Sequence, residues 1–354
     1  MNVSQNDIGG FALTSNASIR SATFRDIDEQ AAQLLGHSQV YQQISRGPFR
    51  GKYTTAGLGN NCWLFIEELN QTLLVDGSVP SRSVSFFFLL DEGGHCRFQG
   101  DDFTGSDLAV LPPSSSFSML CSASANNCVI SLDAHEVSEH LATDPSSSMS
   151  SHRMRSEKIS NLVSRLRHIV RNAPIAVAKA QSSADELRQL LSSTLTIHHQ
   201  PEQLDLTRCS KAVFQRACSI INSELSNISV ASLCRTLSVS RRALELAFTR
   251  ELSIGPSSYI RTMRLNHIRR SIIAGIGKDS IADIAARWGI WHPSRFARAY
   301  AEMFGELPSA TRDTLKSFDR ATVRRAPRFG PSLAAKGQSD PSLDRDTDTG
   351  RPLV

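Results

Sequence analysis

Two groups of side chains in this sequence are typed and spaced for recognition chemistry. The first is Ser240, Arg241, Arg242, Glu245, Leu246 and Thr249; the second is Trp291, His292, Ser294, Arg295 and Arg298. Each group falls on the first turn and one face of a helix. An arginine fork presents parallel donors that match phosphate oxygens or the O6/N7 edge of guanine. Serine and threonine hydroxyls serve either target. For each arginine, base reading, phosphate contact and plain surface charge all remain open at this level. Trp291 is equally open between a packed and an exposed position.

Bond-making chemistry has no comparable support. The sequence carries no G-x-S-x-G, P-loop or dinucleotide fingerprint. His37, His95 and His135 are widely separated, with no H-x-H pair. His95 beside Cys96 is either a metal-ligand pair or a turn histidine. Seven cysteines (Cys62, Cys96, Cys121, Cys128, Cys209, Cys218 and Cys234) include no C-x-x-C spacing. An odd, scattered set reads as buried reduced thiols rather than a disulfide framework or zinc site. We therefore expect no catalytic residue, no metal and no cofactor, and leave open what small molecule the chain binds.

The elements that must hold the two groups come as a repeat. VASLCRTLSVSRRALELAFTRELS (Val230 to Ser253) and SIADIAARWGIWHPSRFARAYAEMFG (280–305) share one pattern. Val230, Leu233, Leu237 and Val239 answer Ile281, Ile284, Trp288 and Ile290. Leu244, Phe248, Leu252 and Pro256 answer Phe296, Tyr300, Phe304 and Pro308. A small residue within the first helix, Cys234 or Ala285, permits close crossing. Ser238 or Gly289 ends that helix, and glycine does so at no steric cost. Ser240, or Pro293-Ser294, opens the second helix. The spacing predicts two helix-turn-helix units with Leu244, Phe248, Phe296 and Tyr300 in their cores. Between them, SSYIRTMRLNHIRRSIIAG (Ser257 to Gly275) predicts a helical rod of about 27 Å at 1.5 Å per residue. That length suits two reading helices near the ~34 Å spacing of successive major grooves. Arg261, Arg264, Arg269 and Arg270 line the rod, some to pin it and others to face phosphate.

Charge and texture divide the 354-residue chain. Residues 1–207 carry a net charge of about −6 and residues 208–315 about +8. Such asymmetry points to one half meeting a polyanion. Residues 1–20 read as a flexible N-terminus and Asp26 to Leu35 as a short helix. Short apolar and β-branched runs separated by Gly, Pro, Asp and Asn then predict an antiparallel β domain from about Val40 to Ala134. The Gly-Asp pair of QGDDF suits a hairpin corner, and Trp63, Phe86, Phe88 and Phe98 serve either core or pocket. TDPSSSMSSHRM (Thr143 to Met154) reads as a Ser-rich joint. After it, Ile159, Leu162, Val163, Leu166, Ile169 and Val170 form one helical face, and Leu187, Leu190, Leu191, Thr194 and Ile197 a second, with Pro174 near the turn. This hairpin either packs on the β domain or mediates self-association. RATVRRAPR (Arg320 to Arg328) is a basic cluster, and the segment after it has the composition of disorder. MNVSQNDIGG lacks a secretory n- or h-region, and VSFFFLL (Val84 to Leu90) is far too short for a membrane span, so a cytoplasmic protein with no membrane partner is expected.

Residues 208–315 resemble the paired helix-turn-helix domain of the AraC/XylS family of bacterial transcription regulators. Arg264-Leu265, SIADIAARWGI (280–290), SRFARAY (294–300) and FGELPSATR (304–312) carry the resemblance. This sequence departs from the family with Ser253 for Gly, Gly255 for Ser, Leu246 for Arg, and Ile290-Trp291 in place of the common Phe after the turn glycine. GPFRGKYTTAGLG, ELNQTLLVDGSVP and DLAVLPP are similar, more loosely, to the family's N-terminal sensory domains. The resemblance implies a multidomain α and β fold. A cupin-like antiparallel β domain (21–142) is followed by the joint and a helical linker (143–205). The DNA-binding domain (206–316) holds helix-turn-helix units at 230–251 and 281–304, and a tail (317–354) follows. It further implies a sequence-specific regulator, with activation the family tendency. Its expected partners are double-stranded DNA, RNA polymerase, a possible small-molecule effector and a second copy in a homodimer. Two other readings compete: a metal-dependent cupin-type enzyme with a helical accessory domain, and a nonspecific nucleoid-type DNA binder.

Overall fold

The computed structural model describes residues 18–59, 61–135, 151–172, 180–195, 208–275 and 279–313. The basic cluster at 320–328, Pro174, Ile197 and the Ser-rich residues 143–150 lie outside them.

The N-terminal half is an antiparallel β domain of two sheets. Sheet one has seven strands: β1 (Ser18–Phe24), β3 (Gly51–Gly59), β4 (Cys62–Leu69), β11 (Asn126–Asp133), β6 (Ser83–Leu89), β9 (Leu108–Leu111) and β12 (His152–Met154), in that spatial order. Sheet two has five: β2 (Ser38–Gln43), β5 (Leu73–Ser78), β10 (Ser116–Cys121), β7 (His95–Phe98) and β8 (Asp101–Thr104). The β texture thus begins earlier than Val40, since β1 already pairs with β3 from Ser18 onward. The last three residues of the segment read as a joint form β12, which pairs with β9.

Alternation decides the layers. Tyr41, Leu73, Val75, Phe87, Leu89, Phe98, Phe103 and Met119 fill the space between the sheets. Phe86, Phe88, Leu108, Val110, Cys128 and Ile130 point out of the other face of sheet one. There they meet α2 (Glu157–Asn172) and α3 (Ala180–Leu195) through Ile159, Leu162, Val163, Leu166, Val170, Leu187 and Leu191. The linker helices therefore pack on the β domain. VSFFFLL is apolar but for Ser85, whose buried hydroxyl bonds His37 and Ser131, because β6 is buried on both faces; each such Phe contributes about 2–3 kcal/mol by burial. Phe86, Phe88 and Phe98 are core, whereas Trp63 is half-buried and stacks on Phe65.

Several local expectations are corrected. The helix near the N-terminus, α1, runs only Ile27–Ala31; Asp26 caps it by accepting from the N–H groups of Asp28 and Glu29. The β7–β8 hairpin turns on Gln99 and Gly100, with φ of 53° and 79°, and Asp101 is already in β8 opposite Phe98. Two consecutive positive φ values make the tight turn whose twist matches the strands. His95 begins β7 rather than occupying a turn, and its Nε2 lies 3.5 Å from Asp102. Cys62, Cys96, Cys121 and Cys128 are buried, but Cys218 and Cys234 are only half-buried. No described helix is long and apolar enough to cross a membrane.

Candidate nucleic-acid interface

The helical half starts with α4 (Arg208–Glu224). Then come α5 (Val230–Leu237), α6 (Arg241–Leu252), α7 (Pro256–Ile273), α8 (Ile281–Arg287) and α9 (Pro293–Phe304). Ser229 and Ser232 exchange side-chain and main-chain hydrogen bonds to cap α5. Ser280 and Asp283 do the same for α8. The bonds from the Ser280 hydroxyl and main-chain N–H hold the Asp283 carboxyl below the usual carboxylate range.

Each short helix then turns a tight corner. Ser238 adopts φ 54° and Gly289 φ 74°. The following anchors bond back into the helix, Val239 N–H to Cys234 O at 3.1 Å and Ile290 N–H to Ala285 O at 3.0 Å. The Ser240 hydroxyl accepts from Ala243 N–H to start α6, while α9 starts on Pro293 with no side-chain cap. The first unit closes around Leu233, Leu237, Leu244, Phe248, Tyr259 and Met263. The second closes around Ile284, Phe296, Tyr300, Met303 and Phe304. The rod α7, 18 residues long, contributes to both cores: Tyr259, Ile260 and Met263 to one, Leu265, Ile268 and Ile272 to the other. Trp288 touches both and donates to the Ser271 hydroxyl at 3.2 Å.

The two groups singled out by type lie at the start of α6 and α9. Ser240, Arg241, Arg242, Leu246, Thr249, Trp291, His292, Ser294, Arg295 and Arg298 are exposed and Glu245 is half-exposed. Trp291 is 73% exposed and Leu246 60%, so neither is a core residue. Two ion pairs on these faces are local, Arg241 to Glu245 at 3.9 Å and Arg298 to Glu302 at 3.0 Å, and a third joins Glu302 to Arg46 of the β half at 3.3 Å. Exposed pairs of this kind contribute about 0–1 kcal/mol, so the guanidinium groups are easily redirected to a ligand.

The rod's arginines divide by role. Arg264 donates to the carbonyls of Leu225, Ser226 and Ile228 at 2.9, 3.2 and 3.0 Å and reaches Gly289 O at 3.5 Å. It binds the two units to each other. Arg269 pairs with Asp26 and Glu306, and Arg270 with Asp28, Gln42 Oε1 and the Tyr41 carbonyl. Arg261 is exposed. The β half thus holds α7 through Arg269 and Arg270. Further contacts are Arg97 to Glu251, Lys211 to Asp101, and the Asn266 amide, which exchanges two 3.0 Å hydrogen bonds with the main chain of Gln43 in β2. Sequence reasoning missed Asp26, Asp28, Gln43 and Arg46, which lie more than 200 residues from their partners in the helical half.

A second polar cluster sits inside the β domain. Glu67 is buried and accepts from Tyr41 Oη at 2.6 Å, Gln30 Nε2 at 3.0 Å and Asn127 Nδ2 at 3.1 Å. Burial raises its carboxyl above the usual range, against the lowering pull of those three bonds. Gln30 Oε1 and Asn127 Oδ1 have no hydrogen-bond partner among the described residues. The adjoining cavity has a volume of about 30 Å³.

Comparison with known proteins agrees with the helical half. A helix-turn-helix domain family matches residues 233–314. The regulatory protein HrpB of Ralstonia nicotianae is 33% identical over 145 residues, 40% of this chain and 26% of that protein. The XylDLEGF operon transcriptional activator 1 of Pseudomonas putida is 34% identical over 100 residues, 28% of this chain and 30% of that protein. The chain thus spans between a quarter and a third of the length of these relatives. Among solved structures, the AraC-like transcriptional activator CuxR matches 76% of this chain and all of its own at 13% identity, TM-score 0.40. ToxT from Vibrio cholerae O395 matches 79% of this chain and 98% of its own at 15% identity, TM-score 0.27.

Proposed function

From the AraC/XylS-type helix-turn-helix domain it carries, which makes the chain a member of that family of transcription regulators, we propose that this protein activates transcription by binding a specific DNA sequence. α6 and α9 enter successive major grooves of one DNA face. The observation that carries this reading is the pair of exposed helix starts hung from the two ends of one rod. Arg242, Arg295 and Arg298 are the guanine or phosphate contacts. Ser240, Arg241, Glu245, Thr249, His292 and Ser294 complete the polar surface, and Leu246 and Trp291 offer apolar contact to thymine methyls.

In the same reading the β half, residues 21–142, is a cupin-like sensory domain. Two face-to-face antiparallel sheets with a buried polar cluster at Glu67 support it. An effector there, or a second copy of the chain, alters how the β half holds α7 and α9. A dimer reads two such sites, and the bound protein presents a surface to RNA polymerase.

Selection of duplexes from a randomised pool with the full chain tests the proposal. A single enriched motif with two major-groove elements one helical turn apart is the expected result. Equal recovery of all sequences with only a steep salt dependence identifies a nonspecific binder instead.

A further inference from the structure

The contact between the β half and α9 reaches the reading face itself. Arg295, Arg298 and Glu302 lie three and four residues apart on one exposed side of α9. Glu302 Oε1 accepts from Arg298 Nε at 3.0 Å, and Glu302 Oε2 lies 3.3 Å from Arg46 Nη1. Arg46 comes from the loop between β2 and β3, so one carboxylate holds a guanidinium from each half of the molecule.

Resting on the DNA-binding reading above, we propose that Arg46 is part of the DNA interface: the β half contributes a phosphate contact beside the second reading helix. The Arg46 side chain is 76% exposed while it pairs with Glu302, so most of it faces solvent. Its loop is fixed to the helix. Gly47 N–H donates to Met303 O at 3.0 Å, and Gln43 Nε2 donates to Met303 O at 2.8 Å and to Gly47 O at 2.7 Å. Those bonds satisfy a carbonyl that the end of α9 otherwise leaves open. A helix seated in the major groove has a phosphate row on either side, and the far end of its reading face is where the backbone passes. The exposed pair with Glu302 is weak and gives way to a phosphate.

The test measures affinity of the full chain for one duplex recovered from a randomised pool, across a salt series. Losing one phosphate contact lowers the slope of log affinity against log salt by about 0.9. A fourfold rise in salt then costs Arg46→Ala about 3.5-fold less affinity than it costs the parent, and the variant weakens binding to every sequence equally. Arg82→Ala removes another exposed cation of the β half, 78% exposed, and leaves the slope unchanged. Glu302→Gln takes a carboxylate away from the phosphates and tightens binding. An Arg46→Ala slope equal to the parent's overturns this proposal while leaving DNA recognition intact. A parent that binds no duplex overturns both.

Discussion

The two helix-turn-helix units solve one geometric problem with different residues. Both must place a residue at positive φ after the short helix and again after the reading helix. The second unit uses Gly289 and Gly305, at 74° and 73°; the first uses Ser238 and Ser253, at 54° and 58°. The surroundings explain the difference. A Cβ on Gly289 would lie 2.2 Å from Ser226 O, and one on Gly305 2.9 Å from Pro48 Cδ. Ser238 and Ser253 are exposed, as Gly305 also is, so the close approach of Ser226 and Pro48, not burial, marks the glycine corners. Glycine is required where another segment presses on the corner, and the first unit accepts strain where nothing does. The second unit is the one squeezed, between α7 and the first unit on one side and the β half on the other.

The sharpest way to break this contrast is Gly289→Ala. The clash and the left-handed backbone together should cost about 2–4 kcal/mol, read as a lower denaturation midpoint and lost DNA binding. If that variant is as stable as the parent, crowding does not distinguish the units. Arg264→Ala should cost about 2–3 kcal/mol, because it strips a charged donor from four carbonyls at once, three just before the first unit and that of Gly289 in the second. Its loss should uncouple the units, visible as two unfolding transitions in place of one. On the reading faces, Arg295→Ala or Arg298→Ala should weaken specific binding by about 1–3 kcal/mol and relax one operator position if it reads a base. Leu246→Ala in the first unit should cost less than either, so selections with the three variants would rank the units as readers. The smallest effects run the other way. Ser238→Gly and Ser253→Gly should each stabilise by about 0.5–1 kcal/mol by relieving a left-handed non-glycine residue. A destabilisation would mean that the serine side chains support the corners.

Much of the helical half is legible in the sequence because its determinants are local. Period, small corner residues and caps all act within a few positions, so the order of short helix, corner and long helix and the burial of Leu244, Phe248, Phe296 and Tyr300 follow from the pattern. The exposure of Trp291 does not, since an indole suits either environment. In the β half, the strands are readable but their partners are not. The two-sided burial of β6 depends on α2 and α3, far along the chain, and β12 is three residues, two of them polar, given a role by β9. Least legible are the links between halves. Nothing near Asp26, Asp28 or Arg46 marks them as partners of Arg269, Arg270 and Glu302; only the folded chain brings them together.

The side-chain amide of Asn266 also occupies a sheet edge. It meets Gln43 as a neighbouring strand would, and β2 is the outermost strand of its sheet. The connecting helix thus shields a border that is otherwise open to adhesion by another chain. Parting the two halves would uncover that border and leave the main-chain groups of Gln43 without their Asn266 partner.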